Sequence, residues 1–249
     1  MLTQTISWQP LSKSEYKSFK SEKPNNVIRC SWIKTYLDSC PVLVKYNMLG
    51  IDISNAYFKM GSEKHAAMDQ AVNEKIEFIP KTREETVREL NAGSSIVQPN
   101  SFMAYGKFGE FALIGKPDSL YSIDGTTKLA EYKTTHQQNL KIERGMEFQT
   151  MAYLQLLQLE GIERMEGKVL LTNWKKEFLY EKMLSLLKEH GNAIEAMESF
   201  HSSTDVFPKQ SEVVLDSTKL NQVVSTIAQS IEKDAWSCTC GKHAQRTIL

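Results

Sequence analysis

Residues Phe148 to Leu159 read Phe-Gln-Thr-Met-Ala-Tyr-Leu-Gln-Leu-Leu-Gln-Leu, a stretch of helical length that is apolar nearly all round and is closed by Gly161. Such a helix has no solvent face and must be covered on every side, so it belongs inside a layered domain. The chain before it supplies strands for that cover. After Gly93 come short segments of β-former character, Ser95–Gln98, Ser101–Tyr105, Phe111–Ile114, Ser119–Ile123 and Lys128–Tyr132, punctuated by Gly and Pro. Asp124-Gly125 is a strong hairpin turn between the last two. Lys168–Asn173 and Phe178–Glu181 read as further strands, and Met183–Phe200 and Leu220–Lys233 as helices.

Upstream, residues 10–26 are polar and Ser/Lys-rich and read as an extended or loop-like lead-in. Ser31 to Leu49 has helical spacing divided by Pro41, Ser62 reads as the N-cap of a helix through Ile76, and Lys81–Leu90 is a further helical stretch. The expected fold is α/β: a mixed, largely antiparallel central sheet flanked by helices, with helical additions at both ends. The expected organisation is a polar segment over 1–30, a main domain over 31–200, and a C-terminal helix with a Cys-containing tail over 201–249. The composition of the 249 residues, 41% apolar and 24% charged, excludes disordered and disulfide-scaffold classes. Thirty Lys+Arg against thirty Asp+Glu argues against coating DNA through global charge, while a local basic groove stays open. Without a membrane-length apolar run or a secretory leader, and with four cysteines, a cytoplasmic protein with reduced thiols is expected.

The hairpin carries the chemistry. With Asp124-Gly125 at its turn, Asp118 falls near the start of one strand and Glu131 and Lys133 near the end of the other. Glu131 and Lys133, two apart, project from one face while Tyr132 points to the other. Two carboxylates and an ammonium converging on one side of a sheet are costly unless a divalent cation relieves the repulsion, and oxygen ligands select Mg²⁺ or Mn²⁺. Lys133 would then position or polarise the attacking water, which makes a phosphodiester-cleaving centre by its parts. The blander reading is an exposed Glu131/Lys133 pair with Asp118 as a turn residue after Pro117.

More residues join the set. Gly61-Ser-Glu-Lys-His65, Gly115-Lys-Pro-Asp118, Glu131-Tyr-Lys133 and Gln149-Thr-Met-Ala-Tyr153 follow one another in that order. Together with Thr86 to Pro99, a helix–glycine–strand pattern, they resemble the PD-(D/E)xK nucleases of the RecB-like group, over roughly Ser31 to Tyr153. The resemblance implies a restriction-endonuclease-like core with Asp118, Glu131, Lys133, Gln149 and Tyr153 as catalytic residues. It also implies a metal held by His65, Asp118, Glu131 and the backbone carbonyl of Tyr132. Gln149 and Tyr153 share one helix face, and the implied function of that face is to look onto the metal and the substrate backbone.

Cys40-Pro41 after a helix is similar to the opening of RecB-like nucleases that hold a [4Fe–4S] cluster, but the late cysteines are only Cys238 and Cys240. A structural Zn²⁺ on Cys40, Cys238, Cys240 and either Cys30 or His243 is the better fit, with plain thiols as the alternative. His136, His190 and His201 read as surface or satisfied histidines, and Glu63 and Asp69 as groups flanking His65. Lys175-Lys176 after Trp174 reads as a solvated strand end that could contact a phosphate. The expected activity is a Mg²⁺- or Mn²⁺-dependent DNA exonuclease on linear duplex or single strand, working in recombination, repair or mobile-element defence, with a helicase or recombination partner and no membrane. The alternatives are a catalytically silent nucleic-acid-binding subunit and a restriction-type endonuclease.

Overall fold

The computed structural model describes residues 7–51, 56–78, 81–98, 101–135 and 138–238, with backbone alone over 56–60. Strand β1 (Trp8–Pro10) leads into helix α1 (Lys13–Glu22), then β2 (Val27–Arg29), α2 (Cys30–Lys34), a π-helical turn (Thr35–Ser39) and α3 (Pro41–Met48). Helices α4 (Ala56–Asn73) and α5 (Arg83–Ala92) precede β3 (Ser95–Ile96), β4 (Ala104–Phe108), β5 (Phe111–Gly115), β6 (Ser119–Ile123) and β7 (Thr126–Thr134). Helix α6 (Arg144–Leu159), β8 (Met165–Thr172), α7 (Lys176–His190), α8 (Ala193–Ser202), β9 (Lys209–Val213) and α9 (Ser217–Glu232) complete the chain.

The strands form a four-stranded sheet, β1-β4-β5-β2, and a five-stranded sheet, β3-β6-β7-β8-β9. Both are mixed: β2 runs parallel to β5 and β7 parallel to β8, the other pairs antiparallel. Helix α6 crosses over between β7 and β8, as a parallel pair requires. Its residues Phe148, Ala152, Leu154, Leu156 and Leu157 are buried in the larger core, which gathers side chains from both sheets, α2 and α9. The second core fills the other face of the five-stranded sheet, under α4, α7 and α8. The expected α/β class with helices flanking mixed sheets is what the chain adopts.

Four local expectations are corrected. Residues 10–26 contain helix α1, started by a reciprocal cap in which Ser12 accepts from the Glu15 N–H and Glu15 accepts from the Ser12 N–H. That capping chemistry sets the helix although only Tyr16 on it is buried. Ser62 is no N-cap, because α4 begins at Ala56 and runs through it. Gly61 is tolerated there by close packing, since a Cβ would sit 3.1 Å from Thr134 Oγ1 on β7. Phe178–Glu181 is helical, and the Met183–Phe200 stretch is broken at Gly191, whose φ of 62° ends α7. The polar strand β9 pairs antiparallel with β8. The Asp124-Gly125 turn forms as expected, with φ of 49° and 70°.

Candidate active site

Strand β5 ends at Gly115 in one sheet, and the chain crosses through Lys116-Pro117-Asp118 to open β6 in the other. Gly115 is required at that crossing: a Cβ would lie 2.6 Å from the Tyr153 ring and 2.7 Å from Cys30 Sγ. The register pairing Ser119 with Ala130 sets Asp118 beside the Glu131–Lys133 segment of β7. Asp118 Oδ2 accepts from the Tyr132 N–H at 2.9 Å, and its Oδ1 lies 3.6 Å from His65 Nδ1 on α4. His65 therefore reaches the sheet from the middle of a helix rather than from its first turn.

Glu131 is 2% exposed, and its Oε1 accepts from Lys133 Nζ and, at 2.6 Å, from Gln149 Nε2. Gln149, equally buried, uses both ends of its amide: Nε2 also donates to Tyr153 Oη at 2.8 Å, and Oε1 accepts from Lys133 Nζ at 3.1 Å. The blander reading of an exposed Glu131/Lys133 pair is thereby excluded. Lys34, on α2, is a further cation at this site that the sequence does not reveal. Its pKa is lowered by burial and then by the ammonium of Lys133. Asp38, in the π-helical turn, accepts from the Gly145 N–H at 2.6 Å and so pins the start of α6. Nothing in the local sequence marks either Lys34 or Asp38.

The charges are out of balance. Burial and then the charge of Asp118 push Glu131 up to about 7, against the opposing pull of Lys133 and His65. Burial alone would raise Asp118, but His65, Lys133 and the Tyr132 N–H outweigh it and hold its carboxyl below the usual range. Burial alone would lower His65, and Asp118 reverses that shift. Glu131 Oε2 is buried with no hydrogen-bond partner. Among the described residues no three His, Cys, Asp or Glu side chains stand close enough to hold a metal as they are. The donor set nevertheless suits a hard cation: two carboxylates, one with an orphaned oxygen that a ligand would satisfy.

Asp69 lines a small cavity with Asp118 and Tyr132, whereas Glu63 faces Lys176 at 3.6 Å. Cys30 and Cys40 are buried, and burial followed by the charge of Glu131 pushes the Cys30 thiol far up. Cys240, His243 and His136 lie outside the described residues. His201 is buried and satisfied, and His190 lies 3.8 Å from Glu195.

A buried Glu131 and a partly buried Asp118 beside a lysine and an anchored glutamine, on a mixed sheet between helices, are a set of parts suited to phosphodiester hydrolysis. The chain belongs to the PD-(D/E)XK nuclease superfamily, whose family model matches residues 51–243. Its substrate is accordingly a nucleic acid, and nucleases of this superfamily generally use divalent metals such as Mg²⁺. Among solved structures it is similar to SSO0001, with 13% identity, 88% of this chain and 87% of that chain covered and a TM-score of 0.44. It is also similar to a protein of Eubacterium rectale whose exonuclease designation is itself provisional, with 11% identity, 92% and 88% covered and a TM-score of 0.45. Likenesses this distant carry no argument about activity. No curated protein matches the sequence significantly. No helix among the described residues is long and apolar enough to cross a membrane.

Proposed function

We propose that this chain is a divalent-metal-dependent deoxyribonuclease of the RecB-like group, working as an exonuclease in recombination, repair or mobile-element defence, alongside a helicase or recombination partner. The observation that carries the reading is Glu131, a buried carboxylate with an orphaned oxygen held beside Asp118 and Lys133. Mg²⁺ or Mn²⁺ on Asp118, Glu131, the Tyr132 carbonyl and His65 would remove the cost of that arrangement. When bound, the ion polarises the phosphoryl oxygen and lowers the pKa of water.

The protein's own groups do the positioning. Lys133 orients the attacking water and faces the charge that develops on the phosphate. Gln149 fixes Lys133 and Glu131 through one amide, and Tyr153 holds Gln149 from the packed side of α6. His65, whose pKa Asp118 raises, must give up its proton before it can ligate. In the same proposal residues 31–200 carry the nuclease domain, with 1–30 and 201–249 as additions. A structural Zn²⁺ would use Cys40, Cys238, Cys240 and His243, because Cys30 is committed to packing against Gly115 and Tyr153.

The test is an incubation of the purified chain with linear and closed circular DNA in Mg²⁺, Mn²⁺ or EDTA. Progressive loss of linear DNA in either metal, with none in EDTA, is expected. Cutting of the closed circle would mark a restriction-type endonuclease, and binding without cleavage a silent subunit.

A further inference from the structure

Past the end of β8, at the same end of the sheet as this site, an aromatic side chain stands open to solvent. The register pairs Lys133 with Leu171 and Thr134 with Thr172, and Trp174 follows two residues later. It is 42% exposed, yet both of its N–H groups are hydrogen-bonded. Its indole Nε1 donates to the Asp205 carbonyl at 2.5 Å and its backbone N–H to Thr172 Oγ1 at 3.2 Å. The ring stacks on Phe178 with centroids 4.4 Å apart and planes 30° from parallel. The polar edge of the indole is thus already satisfied, and what remains in water is aromatic surface.

A single exposed apolar residue is ordinary on a protein surface and needs no explanation. Trp174 differs by its company. Lys175 and Lys176 follow it directly, and Lys176 pairs with Glu63 at 3.6 Å, two residues before His65 on α4. Both members of that pair are about half exposed, so a phosphate can take the place of Glu63. Strand β8 ends at Thr172, beside Thr134 and one position past the Lys133–Leu171 pair, so the chain leaves the sheet toward Trp174 at the same end as the Lys133 site.

We propose that Trp174, with Lys175 and Lys176, is a stacking platform for an unpaired strand of nucleic acid running through the Asp118–Glu131–Lys133 site. The open ring face takes a base and the lysines take flanking phosphates, a pairing of π-surface and positive charge that suits single strands of any sequence. This rests on the nuclease reading and narrows it, since a base inside an intact duplex offers no free face to the ring. The substrate class it assigns is a single strand or a frayed end.

The full chain in EDTA, titrated by fluorescence anisotropy with labelled oligo-dT, oligo-rU and a blunt duplex, tests it. Trp174→Ala is expected to weaken oligo-dT binding roughly five- to a hundredfold. The loss should be similar for oligo-rU, because a ring face does not read the sugar, and smaller for the duplex. Trp174→Phe should bind within about threefold of the parent. Trp174→Leu keeps apolar packing on Phe178 but has no π-face, so it should fall with the alanine variant even where alanine lowers stability. Unchanged single-strand affinity in the Ala and Leu variants, an equal loss for duplex, or no single-strand binding by the parent overturns the platform. So does a concentration-dependent dimer that Trp174→Ala dissolves while DNA affinity stays intact. Metal-dependent cleavage by the parent is read separately: its absence removes the nuclease reading, whereas intact binding by Trp174→Ala removes only the platform.

Discussion

The two faces of strand β7 bury polar groups in opposite ways. On one, Glu131 and Lys133 bond to each other and to Gln149, and a carboxylate oxygen is left without a partner. On the other, the Tyr132 hydroxyl lies 2.6 Å from His201 Nε2, His201 Nδ1 lies 3.1 Å from the Tyr121 hydroxyl, and Tyr121 donates to Glu198 at 2.7 Å. Because the Tyr121 proton goes to Glu198, His201 Nδ1 must donate to Tyr121, and Nε2 then accepts from Tyr132. That assignment needs a neutral imidazole, which burial and then the charge of Lys168 favour by pulling His201 down to about 3. A relay in which every donor finds an acceptor, ending on the Glu198 carboxylate, is holding structure. One that buries charge and leaves an acceptor open is holding a place for something else.

The largest expected effect breaks the open face. Asp118→Ala and Glu131→Ala each remove a carboxylate from the pair and should cost on the order of 10³-fold or more in cleavage rate. Metal-free stability should hold or rise in Glu131→Ala, where the repulsion goes with the carboxylate, and should fall in Asp118→Ala, whose carboxylate is stabilised in the fold by His65, Lys133 and the Tyr132 N–H. Near wild-type cleavage in either variant would remove the site assignment. Lys133→Ala should lose turnover as severely while still binding Mn²⁺ by calorimetric titration, since an ammonium is no ligand. Mn²⁺ binding that disappears with Lys133 contradicts that role.

The next effect breaks the closed face and should read as stability. His201→Ala leaves the Tyr132 hydroxyl and the Tyr121 acceptor unsatisfied and opens a cavity, for a cost of about 3 kcal/mol. In a chain of this length that lowers Tm by roughly 6–12 °C. Tyr132→Phe removes one hydroxyl and leaves only His201 Nε2 without its donor, so about 1–2 kcal/mol is expected. Thermal melts in EDTA check both, and a His201→Ala variant as stable as the parent would show that the relay is not what holds the strand.

How much of this the sequence reveals depends on whether a residue is held locally. Asp118, Glu131 and Lys133 sit on one hairpin, where a two-residue period and an Asp-Gly turn determine their geometry, and Gln149 and Tyr153 sit one turn apart on a single helix. These are local rules, and the apolar periodicity of α6 is another. Lys34 and Asp38 reach the site through packing between α2, the π-helical turn and α6, and no spacing in the chain announces a contact with Gly145 more than a hundred residues away. Ser62 misleads because Gly-Ser is start chemistry by propensity, while the fit of Gly61 against Thr134 belongs to the tertiary structure. Phe178–Glu181 misleads because Phe-Leu-Tyr is strand-like by composition, yet these residues lie inside α7 and Phe178 supports Trp174. The satisfied state of His201 is legible only as an alternative, since its partners Tyr121 and Tyr132 come from two neighbouring strands.

The smallest effect sharpens the contrast by titration. Glu131 is raised from its ordinary 4.5 to about 7, so the folded chain holds this proton more tightly than the unfolded chain does. Its contribution to stability is therefore fully present below pH 4.5 and is lost as pH rises through about 7. His201, lowered from 6.5 to about 3, works the other way: its contribution is present above pH 6.5 and is lost as pH falls toward 3. The two faces of one strand thus limit metal-free stability from opposite sides. Glu131→Gln removes the first limit, keeps the shape of the side chain, and leaves the His201 contribution common to both proteins. In EDTA the Tm of Glu131→Gln should exceed that of the parent by more at pH 8 than at pH 5, the gap widening by roughly 1–3 kcal/mol, or several degrees. His65, also raised, titrates in the same direction as Glu131, so a His65→Gln background separates the two: the widening should survive in it. A gap that stays flat from pH 5 to pH 8 would mean that Glu131 is not strained by its neighbours, and the open face of β7 would lose its claim to be waiting for a cation.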